Sequence, residues 1–155
     1  MTRNLLFLTL AFFSVMAMSC GKNNFGKTTA ERLHGTWVYE KAKIRRIASP
    51  NTNVIDEYRL SSIRFNSDYT LSYYDAKKDL LSTGEWEIYS YAQTNDDDDT
   101  ETIRDLYIFI LDTASNSYQT RIWKDFEVTN KKLTTTEDIN VGDEYKFELK
   151  RIEKK

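Results

Sequence analysis

The sequence YKFELK, at residues 145–150, alternates strictly between apolar or aromatic side chains and charged ones. Because successive side chains of a β-strand point to opposite faces of a sheet, this stretch predicts a strand with one buried face and one wet face. The sequence EWEI, at residues 85–88, repeats the pattern and places its two glutamates on the face opposite Trp86. We therefore expect a sheet that covers a core on one side.

Eight runs rich in β-branched and aromatic residues fill the chain from Gly35 to Ile152, with turn-forming clusters between them. Such runs, each beside its sequence neighbour, are typical of an antiparallel meander. We predict an all-β fold, an up-and-down meander of about eight strands, which is the number at which a closed barrel holds its own side chains or one small ligand. The runs are Gly35–Ile47, Glu57–Phe65, Tyr69–Tyr74, Gly84–Tyr91, Ile103–Leu111, Tyr118–Val128, Lys132–Thr136 and Glu144–Ile152.

The fifth run has two apolar faces, so its register stays open. Leu106, Ile108 and Ile110 share one face, and Tyr107 and Phe109 share the other. Either a helix or the N-terminal tether covers one of these faces, or that face is a sticky surface.

The composition argues against most enzyme and nucleic-acid functions. The chain has 22 Lys and Arg against 24 Asp and Glu, so a net charge of −2 provides no basic field for nucleic acid. One Cys excludes an internal disulfide, and one His disfavours a Ser-His-Asp triad and a multi-histidine zinc site. We therefore predict a protein that is not an enzyme and has no catalytic residue, cofactor, metal or nucleic-acid partner.

The N-terminus has the form of an export signal. Arg3 precedes an uncharged apolar run from Leu5 to Ala17, and the chain's single cysteine, Cys20, follows a small residue. This sequence resembles a bacterial lipobox, with Ala17 where Leu is usual, and it implies that Cys20 is lipidated. We divide the chain into a lipoprotein signal peptide at 1–19, the lipidated Cys and a polar tether at 20–32, and a β-barrel domain at 33–155.

The domain resembles the lipocalin-like domains of small bacterial lipoproteins, which are common in Bacteroidota. Four short motifs carry the resemblance: LHGTW at 33–37, IRFNSDYT at 63–70, GEWEI at 84–88 and YKFELKRI at 145–152. The second motif is similar to a hairpin of the form Phe-x-x-Asp-Gly-Thr, with Tyr69 where Gly is usual. The resemblance implies a lipocalin-like barrel on the cell envelope, without an assigned ligand.

The resemblance also implies a structural contact. In lipocalins a Trp of the first strand is capped by a late Arg, which closes the narrow end of the barrel through a cation–π contact. The matching residues here are Trp37 and Arg151, and Arg121 is a weaker candidate.

Other side chains have both a functional and a simpler interpretation. The run Asp96–Asp99 invites a calcium site, but it lacks spaced ligands and fits a solvated loop better. His34 has no Cys or second His beside it to complete a metal site, so we interpret it as an exposed residue at the strand entry. Five tyrosines could form stacking platforms for sugars or other flat ligands, although Tyr is also a common strand residue. They are Tyr73, Tyr89, Tyr91, Tyr107 and Tyr118.

From these observations we predict a lipid-anchored, non-catalytic lipoprotein of the bacterial cell envelope, on the outer membrane. Its partners are the membrane, through the lipid anchor, and a small hydrophobic or amphipathic ligand of unknown identity. The alternative is a structural or protein-interaction lipoprotein whose barrel is filled by its own side chains. A cavity of ~300–1,000 Å³ inside the barrel distinguishes the first prediction from the second.

Overall fold

The computed structural model describes residues 28–47, 49–94, 99–112 and 117–152. Nine strands and two short helices occupy these ranges. The helices are α1 (Thr29–Leu33) and α2 (Ile55–Tyr58). The strands are β1 (Gly35–Arg45), β2 (Thr52–Asn53), β3 (Ser62–Phe65), β4 (Thr70–Asp75), β5 (Leu80–Thr94), β6 (Thr100–Asp112), β7 (Ser117–Val128), β8 (Lys132–Asn140) and β9 (Asp143–Ile152).

The strands form one antiparallel sheet that closes on itself. Strands β3 to β9 pair in sequence order, β3 pairs with the start of β1, and β9 pairs with β1 along most of its length. The barrel therefore has eight strands in an up-and-down meander, as predicted, and the two-residue strand β2 is an addition at the edge of β1.

The segment of chain between β1 and β3 has a different secondary structure from the one predicted. The run predicted at Glu57–Phe65 is wrong in its first part, because α2 and a turn precede β3, which begins at Ser62. β1 pairs with β3 only from Gly35 to Val38, so the two strands separate towards one end of the barrel. Strand β2 and α2 fill this gap, and the Val54 amide donates to the Ala42 carbonyl oxygen across it at 2.9 Å.

The first helix lies partly inside the range assigned to the tether. Thr28 caps α1 through a capping box with Glu31, in which each side chain accepts a hydrogen bond from the other residue's backbone amide. Leu33, at the end of α1, is completely buried. The described structure thus includes residues 28–32, which the prediction assigned to the tether. No helix of the described ranges is both long enough and apolar enough to span a membrane.

Aromatic side chains fill the middle of the barrel and one end of it. Trp37, Trp86 and Trp123 are all at most 2% exposed, and Phe65 and Phe147 lie among them. Burying side chains of this size contributes several kcal/mol, at ~1.5–3 kcal/mol for each large apolar side chain. This filled end, which contains the first residues of β1 and the last of β9, is called the closed end below.

The register of the fifth predicted run is now fixed. Leu106, Ile108 and Ile110 of β6 are buried in the barrel, and Ile108 lies opposite Trp86 of β5. Tyr107 and Phe109 point outwards and are partly exposed. No helix of the described ranges covers them, because α1 lies at the closed end and α2 beside β1.

Candidate functional site

The contact between Trp37 and Arg151 seals the closed end of the barrel. The guanidinium carbon of Arg151 lies 4.7 Å from the centroid of the completely buried Trp37 ring. Trp37 Nε1 donates to the Leu33 carbonyl oxygen at 2.7 Å. Arg151 also donates to the carbonyl oxygens of Arg32 and, at 2.7 Å, of His34. The Arg151 guanidinium thus acts as hydrogen-bond donor to two carbonyl oxygens at the end of α1, and it also packs on the Trp37 ring of β1. Both contacts are structural.

Gly35 is required at this contact for two reasons. Its φ of +129° lies in the region that L side chains rarely adopt. A Cβ there would also lie 3.3 Å from Nη1 of Arg151. In the Leu-x-Gly-x-Trp motif, Gly35 therefore lies where Arg151 approaches the backbone, and Trp37 provides the ring on which Arg151 stacks.

In the hairpin where Tyr69 replaces the usual Gly, the backbone at Tyr69 has the left-handed conformation that glycine favours. Tyr69 has a φ of +64°, in the left-handed region. Its ring centroid lies 5.1 Å from that of Trp86, and Trp86 Nε1 donates to the Thr70 carbonyl oxygen at 3.1 Å. We infer that ring packing compensates for the strained backbone at this turn.

The opposite end of the barrel is open and holds a cavity of about 370 Å³, which we call the cup. The cup is formed where β4, β8 and α2 end and where β7 and β9 begin. Tyrosine rings line it, and charged side chains surround its mouth. The lining residues are Glu57, Tyr58, Tyr73, Asp75, Lys77, Lys78, Ile110, Gln119, Arg121, Glu137 and Tyr145. A second cavity of about 200 Å³ adjoins it and shares five of these lining residues: Tyr73, Asp75, Lys78, Ile110 and Gln119.

A buried ion pair lies inside the cup. Arg121 Nε donates to both carboxylate oxygens of Glu137, at 2.9 and 3.1 Å, and Nη2 donates to one of them. The side chains of Arg121 and Glu137 are 12% and 16% exposed. The Arg121 guanidinium also lies 5.8 Å from the ring centroids of Trp123 and Phe147, so the pair rests on the top of the aromatic core.

The hydroxyl of Tyr39 is buried and makes no hydrogen bond in the described ranges. Burial raises the pKa of Tyr39 well above its usual value, and the groups that act on it electrostatically include Arg121, Tyr73 and Glu137 of the cup. Burial likewise raises the pKa values of Tyr58 and Tyr73. These hydroxyls therefore keep their protons at neutral pH, and those of Tyr58 and Tyr73, which line the cup, can donate hydrogen bonds into it.

Comparison with known proteins does not show to which family this barrel belongs. No family model, curated protein or solved structure matches the chain significantly. The resemblance to lipocalin-like lipoproteins therefore stays a prediction, which rests on the four motifs.

Few of the candidate residues from the sequence lie at the cup. Of the five candidate platform tyrosines only Tyr73 lines it. His34 packs against the ring of Trp86 at the closed end, with 5.9 Å between ring centroids. Arg121, the weaker candidate for the Trp37 contact, instead pairs with Glu137. Cys20 and Asp96–Asp98 lie outside the described residues, and no cluster of three or more potential metal ligands occurs within them.

The ion pair and the tyrosines Tyr39, Tyr58 and Tyr145 were missed in the sequence. One signal for Arg121 was available, because it lies two residues before Trp123 and therefore points to the same, inner face of β7. A charged residue on a buried face needs a partner. The partner, Glu137, is 16 residues away on β8, and only the pairing of the two strands reveals it.

Tyr89, Tyr107 and Phe109 form an outer aromatic patch on β5 and β6. The ring centroids of Tyr89 and Tyr107 are 4.8 Å apart, and those of Tyr107 and Phe109 are 6.4 Å apart. Tyr89 is 53% exposed. These side chains lie outside the barrel and contribute nothing to the cup.

Proposed function

We propose that this protein is a lipid-anchored, non-catalytic binding protein of the bacterial cell envelope, whose cup takes up a small amphipathic molecule. The observation that carries the proposal is the division of the barrel interior. Aromatic side chains fill the closed end, whereas the open end keeps a cavity of about 370 Å³. That volume lies within the ~300–1,000 Å³ range of small-molecule sites.

The lining of the cup suits a molecule with one apolar and one polar part. Tyr58, Tyr145 and Ile110 offer apolar surface, and Gln119 and Arg121 offer hydrogen-bond donors. Because the aromatic core lies directly under Arg121, the ligand does not penetrate beyond the ion pair. We therefore expect a compact ligand, because a shallow cup can cover most of a compact molecule but only a small part of a long-chain one.

The placement of histidine supports a binding function without catalysis. The chain has a single His, and it packs at the closed end of the barrel, away from the cup. The carboxylate of Glu137 is held by Arg121 at both oxygens, so it is a poor general base. The lipid anchor rests on the lipobox-like sequence at Cys20.

The test is native mass spectrometry of the lipidated protein, isolated from its own host in lipid nanodiscs. We expect a small molecule to remain bound to the wild type. In Gln119→Trp an indole at the rim fills the cup, so the bound mass is lost. Thr120→Trp is the matched control, because residue 120 pairs with Phe109 on the outer face of the barrel.

Two results would contradict the proposal. One is a wild-type protein without any bound small molecule. The other is a bound molecule that Gln119→Trp retains to the same extent as Thr120→Trp, which would place the molecule outside the cup.

The outer aromatic patch favours a second function, a protein-interaction lipoprotein. Exposed aromatic side chains are enriched at the centres of interfaces. If the patch binds a protein, Tyr107→Ser with Phe109→Ser abolishes the recovery of that protein after crosslinking in cells, and Gln119→Trp does not. Loss of recovery with Gln119→Trp alone would instead place the contact at the cup.

A further inference from the structure

We infer that the cup binds one neutral pyranose ring, the six-membered ring of a hexose, packed against the rings of Tyr58 and Tyr145. The inference rests on the proposed function and adds the chemical class of the ligand. A pyranose is a compact amphipathic molecule, because its C–H groups form two weakly polar faces and its hydroxyls surround the edge.

The first argument is the scarcity of purely apolar side chains in the cup. Of the eleven described residues that line it, only Ile110 has a side chain without a polar atom. A wholly apolar ligand would cover the other side chains without giving them hydrogen bonds, which is costly. A ligand with several hydroxyls replaces the displaced water with hydrogen bonds, so the lining favours it over a hydrocarbon chain.

The second argument is the balance of charge around the cup, whose lining contains three cations and three anions. Two ion pairs use four of these charges: Arg121 with Glu137, and Lys78 with Asp75. The remaining two, Glu57 and Lys77, have opposite signs and make no ion pair within the described part of the chain. With no net charge to favour an ion, the cup suits a neutral ligand whose hydroxyls can donate to Glu57 and accept from Lys77.

The third argument is the distribution of unused hydrogen-bonding groups. The hydroxyls of Tyr58 and Tyr145 and the side-chain amide of Gln119 make no hydrogen bond to other described residues. They reach the cup from three separate elements, α2, β9 and β7. A hydroxyl both donates and accepts, so a ring with hydroxyls all around its edge can bond to all three groups. An amino acid, by contrast, has its charged groups at one end.

The fourth argument is the angle between the two tyrosine rings. The ring centroids of Tyr58 and Tyr145 lie 6.1 Å apart, and the ring planes meet at 76°. The two rings thus form a corner of the cup. The face of an aromatic ring carries partial negative charge, so it attracts the weakly positive C–H groups of a saturated ring. A pyranose can stack on one of these tyrosines while the other closes the side of the cup.

The experiment measures the binding of defined probes to the lipidated protein in nanodiscs by saturation-transfer difference NMR, with empty nanodiscs as the blank. The panel contains the methyl glycosides of glucose, galactose, mannose and N-acetylglucosamine. Three comparison probes each change one feature: methyl glucuronide is an anion, cyclohexylmethanol lacks the ring hydroxyls, and phenylalanine is a zwitterion with a flat ring. We expect at least one glycoside to bind about tenfold more tightly than cyclohexylmethanol, because the hydroxyl hydrogen bonds are lost, and more tightly than both charged probes.

Three variants assign the binding to the cup. Gln119→Met removes the amide and Tyr145→Phe removes only the hydroxyl. Each variant lowers the affinity for the best glycoside about tenfold and changes that for cyclohexylmethanol little. Thr120→Val is the matched control, because residue 120 pairs with Phe109 on the outer face of the barrel, and it leaves both affinities unchanged.

A disaccharide distinguishes two sources of such a ring, a free sugar and the end of a glycan. The adjoining cavity shares Tyr73 and Gln119 with the cup, so it provides space beside the first ring for a second one. The best methyl glycoside is compared with a disaccharide that has the same sugar at its non-reducing end. Both results support a pyranose site: an affinity gain of about threefold or more identifies the end of a glycan, and no gain identifies a free sugar.

The outcomes separate this inference from the proposed function. The inference is wrong if no glycoside of the panel binds, or if a comparison probe binds as tightly as the best glycoside. It is also wrong if Gln119→Met and Tyr145→Phe both leave the glycoside affinity unchanged. In each of these cases the cup remains a binding site if native mass spectrometry finds a bound molecule that Gln119→Trp displaces, and that result alone decides the proposed function.

Discussion

Arg121 and Glu137 form a two-point ion pair inside the barrel, with Nε of Arg121 at 2.9 and 3.1 Å from the two carboxylate oxygens. The pair closes the top of the aromatic core and forms the floor of the cup. Neither partner is replaceable alone, because the remaining charge would stay largely buried without its counterion.

The first prediction follows from this pair. Arg121→Leu lowers the free energy of unfolding by ~3–5 kcal/mol, since Glu137 is left without its partner. The double variant Arg121→Leu/Glu137→Leu recovers most of this loss. Urea denaturation measures both. Lys124→Leu is the control, because the Lys124–Asp138 pair is about half exposed, and removing it changes stability by at most ~1 kcal/mol. A double variant no more stable than the single one would refute the argument.

The second prediction concerns the closed end. Trp37→Ala removes a completely buried ring and the surface on which Arg151 packs, and it lowers stability by ~3–5 kcal/mol. Because a domain has ~5–15 kcal/mol in total, thermal melts of this variant should show a strongly weakened fold. Ile152→Ala, at a 49% exposed neighbour of Arg151, should stay within ~0.5 kcal/mol of the wild type. Equal melting temperatures for the two variants would contradict the assigned role.

The third prediction concerns the close approach of β5 and β6. A Cβ at Gly84 would lie 1.9 Å from the carbonyl oxygen of Phe109, and backbone cannot move as a flexible side chain does. Gly84→Ala therefore lowers the free energy of unfolding by ~1–3 kcal/mol, as expected for an overpacked position. Thr83→Ala, at the next, exposed position, has little effect. Calorimetric melts of the two variants compare them directly, and unchanged stability in Gly84→Ala would show that the strands can separate freely.

The fourth prediction uses two tyrosines with opposite expected signs. Tyr39→Phe removes a buried hydroxyl without a hydrogen-bond partner, so it raises the stability of the ligand-free protein by up to ~1 kcal/mol. Tyr74→Phe removes the hydrogen bond to Asp79 on the surface and lowers stability slightly. Thermal melts after ligand removal measure both. A loss of stability in Tyr39→Phe would mean that its hydroxyl is already satisfied.

The fifth prediction concerns the anchor. If Cys20 is the only lipid attachment point, Cys20→Ser leaves the chain unprocessed or releases it from the membrane after signal cleavage. Fractionation with detection of the mature chain distinguishes these forms from the wild type. A cleaved variant that still sediments with membranes would disprove the lipid anchor.

The sequence predicted the strands well because each strand carries its own evidence. Alternation between an inner and an outer face is a local pattern, visible in residues 145–150 without any partner. The exception was the region around Tyr58. Its aromatic residues suggested a strand, but α2 places Tyr58 over Tyr39 and Phe147 at the gap between β1 and β3. Tertiary packing there outweighs local preference.

The cup was harder to predict because its parts come from distant segments. Tyr58, Arg121 and Glu137 meet only after the sheet has closed. Register shifts in three strands, after Tyr39 of β1, after Lys124 of β7 and after Asp138 of β8, change which residues face inwards, and simple alternation does not reveal them. By contrast, the Trp37–Arg151 contact joins the first and last strands, whose pairing follows from closure of the meander itself.

Arg151 holds α1 at the closed end, and β9 also finishes there, opposite Thr36. Thr28 and Ile152, the first and last residues that the structure describes, therefore both lie at the closed end, on the side away from the mouth of the cup. A lipid attached upstream of Thr28 would hold the domain by its base and turn the mouth towards the aqueous compartment. Molecules would then enter and leave the cup from solution, without first dissolving in the bilayer.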